Sequence, residues 1–405
     1  MSKTYTIGRW VQADLKVICK YVSMMRKATT VTHPALVALQ ELIESDPEVN
    51  MLFTTMFEQK FEPPQPNPIS DYMDMLLKMQ PVIESAPVYG CQLGSAPLNH
   101  LLIYVMATPS GTMAFINDKV NRCFKDILNA WAQLLNHPDS KEVLNRVDGW
   151  LCPKALNEMG GDFLNTFKVD LKDPYYGFTC WNDYFARRLK DDTVRPIAEP
   201  DNPYAFCSPC DAIPYYISKD PKLRDDFWIK EQPYSLQHLM DDDELSKKYV
   251  GGSVYQAFLD TANYHRWHSP VDGKIIKAYI KEGAYYAEAL SMGYDPTANT
   301  YSQRYLSHVD NRAIMHIETE KLGTVIFIAV GMAEISSCVI QAYYGQEVKK
   351  GEMIGTFQFG GSTYLLVFEK GLNIKFDAED IPEDKWSTTL QKVNSSLGHR
   401  IIKRY

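Results

Sequence analysis

Three Gly-Ser junctions, Gly94-Ser95, Gly252-Ser253 and Gly361-Ser362, place a hydroxyl directly after a residue without a side chain. Such a neighbour leaves its carbonyl open to attack and lets the backbone take strained angles. Any of the three can be an ordinary turn, but their settings differ. Gly94-Ser95 falls in a loop of a helical region, and Gly252-Ser253 precedes an expected helix over 254–259. Gly361-Ser362 follows Gly360, between the apolar stretch Phe357 to Phe359 and an expected buried strand, Tyr364 to Phe368. That context suits intramolecular chemistry. The Ser362 hydroxyl would attack the Gly361 carbonyl to give an ester. β-Elimination of the acyl group would leave dehydroalanine, and hydrolysis would yield a pyruvoyl group at a new N-terminus. A base must take the hydroxyl proton, usually a His oriented by a carboxylate. His268 and, in the stretch SPCDA, Asp211 are the candidates.

His265 and His268 flank Arg266-Trp267 in YHRWHSPVDG. Their i, i+3 spacing would put both imidazoles on one side of a helical turn, for metal ligation, for acid–base work or for structure alone. No carboxylate or third His stands at metal-ligand spacing, so acid–base use is the better of the two chemical readings. Cys207 and Cys210 have C-x-x-C spacing. A zinc site needs a second pair of soft ligands, and a redox motif should open a helix, whereas the chain runs on toward a β segment.

The elements that must carry these residues fall into two textures. From about 34 to 190 apolar residues recur at helical spacing. Leu36, Leu39, Leu42 and Ile43 form a run ended by Asp46-Pro47, and Ile116 through Leu135 forms a stripe on one helix expected to open near Ser110 and stop at His137-Pro138. Met56, Phe57, Met73, Met75 and Met79 read as core filler rather than an adaptable binding face. Beyond about 205 the period is two: Ile276, Ala278 and Ile280 alternate with Lys277, Tyr279 and Lys281, and Ala313, Met315 and Ile317 with Ile314, His316 and Glu318. Val325 to Val330 and Tyr364 to Phe368 suit strands buried on both faces. The expected fold class is α+β: a helical N-terminal domain, residues 1–190, then a mostly antiparallel β-rich domain, residues 191–405, joined by the Pro-rich, charged stretch 190–205.

Lys plus Arg number 42 against 50 Asp plus Glu, a net charge of −8. With no basic run beyond Lys349-Lys350 and the tail Arg400, Lys403, Arg404, nucleic acid is not an expected partner. The first residues lack a signal-peptide core, and no apolar stretch approaches the roughly 20 residues that span a bilayer. Eight scattered cysteines fit reduced thiols, so a cytoplasmic location is expected.

An ordered set of short motifs now becomes specific: WNDYFARRLKDDTVRPI at 181–197, SPCDA at 208–212, YSLQHL at 234–239, DTANYHRWHSPVDG at 260–273, Asn311-Arg312, VGMAEISS at 330–337 and GQEVKKGEMIGTFQFGGST at 345–363. Over 175–370 the chain resembles the pyruvoyl-dependent phosphatidylserine decarboxylases. Residues 35–190, with ESDPEV, APVYG, GWL and PYYGF, look like the extra N-terminal domain on the tryptophan decarboxylase of fungal psilocybin biosynthesis and its relatives, soluble amino-acid decarboxylases.

The resemblance implies an Asp-His-Ser set at Asp211, His268 and Ser362, with His265 as the other motif histidine. It implies cleavage between Gly361 and Ser362 and a covalent pyruvoyl cofactor derived from Ser362. That carbonyl would form a Schiff base with the substrate amine and act as an electron sink, while His265 protonates the carbanion or positions the carboxylate. His268 is the alternative acid. Glu334 departs from the lipid enzymes, which usually carry an uncharged residue there; it could bind a substrate indole N–H or ammonium, or serve a structural ion pair.

The leading reading is a self-processing decarboxylase of an L-amino acid, L-tryptophan to tryptamine first, whose large and small chains stay associated. Phosphatidylserine as substrate, and an uncut binding protein, are the alternatives. The Gly345, Val348, Gly351 and Gly355 pattern also suits a carrier domain, but no Lys sits at the turn. A homodimer is a further implication of the family, and 291–306 is either a substrate-covering loop or a surface insertion.

Overall fold

Residues 15–90, 96–159, 161–226, 233–241, 244–290, 300–334, 336–378 and 389–402 are described by a computed structural model. The junction Gly94-Ser95 and most of the stretch 291–306 lie outside these residues. The helices of the first half begin where the sequence supplies a start. Pro occupies the first turn of α2 (Pro34–Ser45) and α3 (Pro47–Thr55), which follow α1 (Leu15–Met24). Pro suits that position because its missing N–H would have no helical partner anyway. Asp46 closes α2 and its carboxylate accepts from Glu48 and Val49 to cap α3. Next come α4 (Tyr72–Ile83), α5 (Pro97–Met106), α6 (Pro109–Phe115) and α7 (Asp118–Asn136).

The single helix expected from Ser110 to His137 is in fact two, α6 and α7. Asn117, extended at φ −72°, accepts from Lys119 and Val120 and restarts the chain. An Asx cap outweighs an unbroken apolar period. The predicted stripe is otherwise right: Val120, Phe124, Ile127, Leu128, Trp131 and Leu135 are buried. Met56, Met75 and Met79 are fully buried core.

The second half is antiparallel β-structure. Its strands are β1 (Ala205–Cys207), β2 (Ile213–Ser218), β3 (Ser253–Leu259), β4 (Arg266–His268), β5 (Gly273–Lys281), β6 (Arg312–Glu318), β7 (Thr324–Met332), β8 (Cys338–Ile340), β9 (Glu347–Val348), β10 (Met353–Phe357), β11 (Gly361–Phe368), β12 (Ile374–Phe376) and β13 (Ser396–Arg400). Seven of them form one sheet in the order β2-β3-β11-β7-β6-β5-β9, with small sheets β1-β13-β12 and β4-β10-β8 beside it.

Val254 to Leu259, expected as a helix, is β3, buried along both faces between β2 and β11. A six-residue apolar run does not separate helix from strand, and Val254, Tyr255 and Phe258 fit a pleated surface. The alternation in β5 is broken by a bulge between Ile275 and Lys277. Ile275 is therefore the buried residue and Ile280 is left 39% exposed. β6 is buried on both faces up to Ile317, so its alternation does not mark a solvent face.

One face of the large sheet packs Ala257, Met315, Phe327 and Leu366, and the other packs Val254, Ile314, Ile328 and Leu365. The apolar core of the helices does not stop at the sheet. It continues into Tyr285, Tyr286, Ala333 and Phe359.

Candidate active site

Ser362 is the second residue of β11, an inner strand, and stands opposite Leu259 of β3 and Gly331 of β7. Its side chain is fully buried, and among the described residues its hydroxyl has no hydrogen-bond partner. A buried unsatisfied hydroxyl costs about 1–3 kcal/mol, so its presence at an otherwise saturated sheet needs a reason. The residue two positions earlier supplies part of one. Gly360 has φ +154°, and a Cβ there would lie 3.1 Å from both the Ala333 carbonyl oxygen and the Ser336 nitrogen.

The segment that Gly360 approaches is itself strained. Ala333 (φ 53°), Glu334 (φ 38°) and Ser336 (φ 46°) all adopt left-handed backbone, at roughly 1–3 kcal/mol each. Several bonds hold it: Ala333 N–H donates to Tyr285 O at 3.0 Å, Ser336 N–H to Phe359 O at 3.2 Å and Gln358 N–H to Ser337 O at 2.8 Å. Asn311 Nδ2 donates to Ser336 O at 3.3 Å, and the Ser336 hydroxyl donates to Ala333 O. Phe359 is gripped edge-on by Trp131, Trp181 and Phe185, each with ring centroids 5.4 Å away.

The two histidines are not on a helical turn. They bracket the extended strand β4, paired to β10, and an i, i+3 spacing in a strand sends side chains to opposite faces. His265 stacks on Phe185 at 4.1 Å, so one ring separates it from Phe359. Its Nδ1 lies 3.0 Å from the Asn263 carbonyl, an acceptor only, so Nδ1 carries the proton and Nε2 offers a lone pair. That Nε2 is buried and has no partner among the described residues. Burial, helped by the nearby Arg187 guanidinium, pushes its pKa down to about 3, and the ring is neutral at physiological pH.

His268 is fully engaged: Nδ1 donates to Gly351 O at 2.6 Å, and Nε2 takes the Tyr264 hydroxyl at 2.8 Å. Burial lowers its pKa, while the Gly351 carbonyl and the Asp211 charge pull the other way. Asp211 does not hydrogen-bond His268. Its carboxylate takes Arg195 at 3.3 Å and the Val393 N–H at 2.7 Å, all of it buried. Among the described residues, then, the three expected members of the Asp-His-Ser set are buried but not bonded to one another.

Glu334 is buried at 0% exposure with Oε1 accepting from Asn99 N–H at 2.9 Å, and Oε2 has no partner among the described residues. Loss of solvent pushes its pKa up to about 8. Cys207 and Cys210 are buried free thiols raised by burial, Cys207 to about 12, which suits neither a thiolate ligand nor a redox pair.

Three contributors were not singled out from the sequence. Arg195 holds Asp211, and Tyr264 holds His268. Arg187 is a buried guanidinium that donates to the Ala262 and Asn263 carbonyls at 2.5 and 2.9 Å and lies over Phe167 at 4.4 Å. All three fall inside the motifs WNDYFARRLKDDTVRPI and DTANYHRWHSPVDG, and a buried role for an Arg in a motif is the signal that was there to read. A cleft of about 1170 Å³ opens among α1, α4 and α7. It holds none of the predicted site residues, and Trp131 is its wall on the Phe359 side.

The phosphatidylserine decarboxylase family model matches residues 181–390, more than half of the chain, and a second phosphatidylserine decarboxylase model matches residues 33–159. The chain belongs to the phosphatidylserine decarboxylase family. Among its relatives, the L-tryptophan decarboxylase of Psilocybe cubensis is 34% identical over 351 residues, 81% of this chain and 78% of that protein. Decarboxylase iboD of Amanita muscaria is 36% identical over 322 residues, 74% of this chain and 90% of that protein. Phosphatidylserine decarboxylase proenzyme 3 of Schizosaccharomyces pombe is 32% identical over 242 residues, 59% of this chain and 24% of that protein. As a member of the phosphatidylserine decarboxylase family with these relatives, the chain is an enzyme, a carboxy-lyase. No helix among the described residues is long and apolar enough to cross a membrane.

Proposed function

We propose that the chain is a self-processing, pyruvoyl-dependent decarboxylase of an aromatic L-amino acid, with L-tryptophan the first substrate. The observation that carries the self-processing reading is Ser362, a buried hydroxyl without a partner among the described residues at the start of an inner strand, two residues after Gly360, which is pressed against left-handed backbone. These residues fit a pyruvoyl group: the Ser362 side chain is the one to be converted, and Gly360 leaves space that a Cβ would fill.

In processing, the Ser362 Oγ bonds to the Gly361 carbonyl carbon as the peptide C–N bond breaks, giving an ester. Loss of the residue 362 α-proton expels the Gly361 carboxylate, and water then replaces the nitrogen, which leaves as ammonia. His268 is proposed to take the hydroxyl proton at Nε2, the nitrogen left basic by the Nδ1–H donated to Gly351 and shared with the Tyr264 hydroxyl. Asp211 favours the cationic ring that results, through charge rather than through a direct bond.

The pyruvoyl group supplies a carbonyl for the substrate amine and a sink for the electrons left when carbon dioxide departs. His265 is proposed to move the proton that replaces carbon dioxide, by way of its unpartnered Nε2. Its burial among Phe185 and Phe357 excludes water from that exchange.

The 44 residues beyond the cut would stay with the large chain. β11 pairs residue by residue with both β3 and β7, and Leu365 to Phe368 are 0% exposed. Beyond β11, the Val393 N–H binds Asp211 and the Asn394 N–H binds Ser208 O at 2.9 Å.

Support for an amino-acid substrate comes from relatives of similar length named for tryptophan. The test is a decarboxylation screen on verified cleaved protein: tryptamine from L-tryptophan is expected. Carbon dioxide from phosphatidylserine vesicles, with every free amino acid untouched, overturns the substrate reading.

A further inference from the structure

The first turn of α5 has backbone N–H groups with no helical acceptor, and its N-cap residue, Ala96, has no side chain that could serve them. The acceptor arrives from 235 residues away: Glu334 Oε1 lies 2.9 Å from Asn99 N. Glu334 is also left-handed, as are Ala333 and Ser336, which face Gly360. One side chain thus satisfies an orphan donor of the helical region and fixes the backbone that Gly360 approaches, immediately before the Gly361-Ser362 junction. A second tie runs parallel to it. Phe359, two residues before Gly361, is enclosed by Trp131 of α7 and by Trp181 and Phe185.

We infer that the helical region is a built-in clamp for the self-cleavage loop, with Glu334 as the positioning residue that couples the two. This rests on the self-cleavage proposed above and gives the helical region a purpose in it. The left-handed angles at Ala333, Glu334 and Ser336 are costly on their own. Several bonds hold them, and the Asn99 N–H and the aromatic grip on Phe359 are the ties that come from the helical region. Without the clamp, the segment relaxes and the Gly361 carbonyl leaves its reactive setting. Glu334 is mostly protonated at neutral pH, its pKa being pushed up to about 8 by burial, and a neutral acid accepts a hydrogen bond much as an amide does. Glu334→Gln should therefore retain the clamp, whereas Glu334→Ala should lose it.

The experiment follows the full-length chain from synthesis by intact mass under denaturing conditions, with circular dichroism to confirm folding. Glu334→Ala is expected to slow cleavage by about tenfold or more, the scale of one buried hydrogen bond lost from the loop, while Glu334→Gln stays within about threefold of the parent. The donor side gives an independent pair. Asn99→Pro removes the N–H in a first helical turn, where Pro is tolerated, and should slow cleavage. Asn99→Ala keeps the N–H and should not. Glu334→Ala combined with Asn99→Pro should be no slower than the slower single variant, because both remove the same bond.

A folded Glu334→Ala chain that is cut at the parental rate overturns the inference. So does a Glu334→Gln chain as slow as Glu334→Ala, which would make the acid itself the requirement. If Glu334→Ala does not fold, the Asn99 pair decides, and equal rates for Asn99→Pro and Asn99→Ala overturn the clamp. A parental chain that never cleaves removes self-processing itself and is told apart by the absence of any fragment.

Discussion

β11 and the segment that leads into it are made of adjacent residues under opposite rules. From Thr363 to Val367 each residue has a partner on both sides, a buried side chain and extended backbone. From Phe359 to Ser362, and at the facing Ala333, Glu334 and Ser336, the described residues show positive φ, close backbone approach and an unpartnered hydroxyl. On the proposed self-processing, the cut falls where the two regions meet. A rigid sheet would hold one side of the Gly361-Ser362 junction, and a costly loop would face the other.

The largest effect expected from that contrast is at the hydroxyl itself. Ser362→Ala should give one uncut chain with no decarboxylase activity, seen as a single mass and no tryptamine. Next is Gly360→Ala, which places a Cβ 3.1 Å from the Ala333 carbonyl oxygen. It should lengthen the half-time of cleavage by roughly 5- to 150-fold, corresponding to about 1–3 kcal/mol of misplaced backbone, with the sheet still folded by circular dichroism.

A change on the regular side should do the reverse. Leu366→Ala removes a side chain at 0% exposure from the sheet core. It should cost about 2–5 kcal/mol in urea unfolding and leave the cleavage rate of the folded fraction unaltered. Slow cleavage in this variant at full folding would erase the distinction between the two regions.

The effect most remote from the junction is in pH. His265 has its pKa held near 3, below the ordinary 6.5, so between those values the unfolded chain binds more protons than the folded one. Stability should fall as pH drops from 6.5 toward 3. His308, also held near 3, contributes to the same slope. His265→Gln should flatten the slope, measured as urea midpoints between pH 4 and 7, without moving the midpoint at pH 7 by as much as Leu366→Ala does.

Much of this contrast can be read from the residues. The Gly-Gly-Ser triplet before an apolar run marks the junction, and Tyr364 to Phe368 is the doubly buried strand that the run suggests. The stripe from Val120 to Leu135 likewise lies on the buried face of a helix. The failures have physical causes. Val254 to Leu259 carries no periodicity, so only its neighbours β2 and β11 make it a strand. The His265 and His268 spacing fits a helical turn until β10 pairs with β4 and extends it. Glu334 could be noticed as an unusual carboxylate, yet its partner Asn99 N–H is a backbone group far away in sequence, invisible without the fold. The same holds for Arg195 and Val393 at Asp211.

The central claim is that Gly361-Ser362 is the bond this fold is built to break. Intact mass of the purified chain under denaturing conditions, followed by fragmentation of the small chain, tests it directly. The expected result is a 361-residue chain and a 44-residue chain, the latter beginning with a pyruvoyl group in place of Ser362. An active preparation that is a single uncut chain, or one cut elsewhere with Ser362 intact, contradicts it.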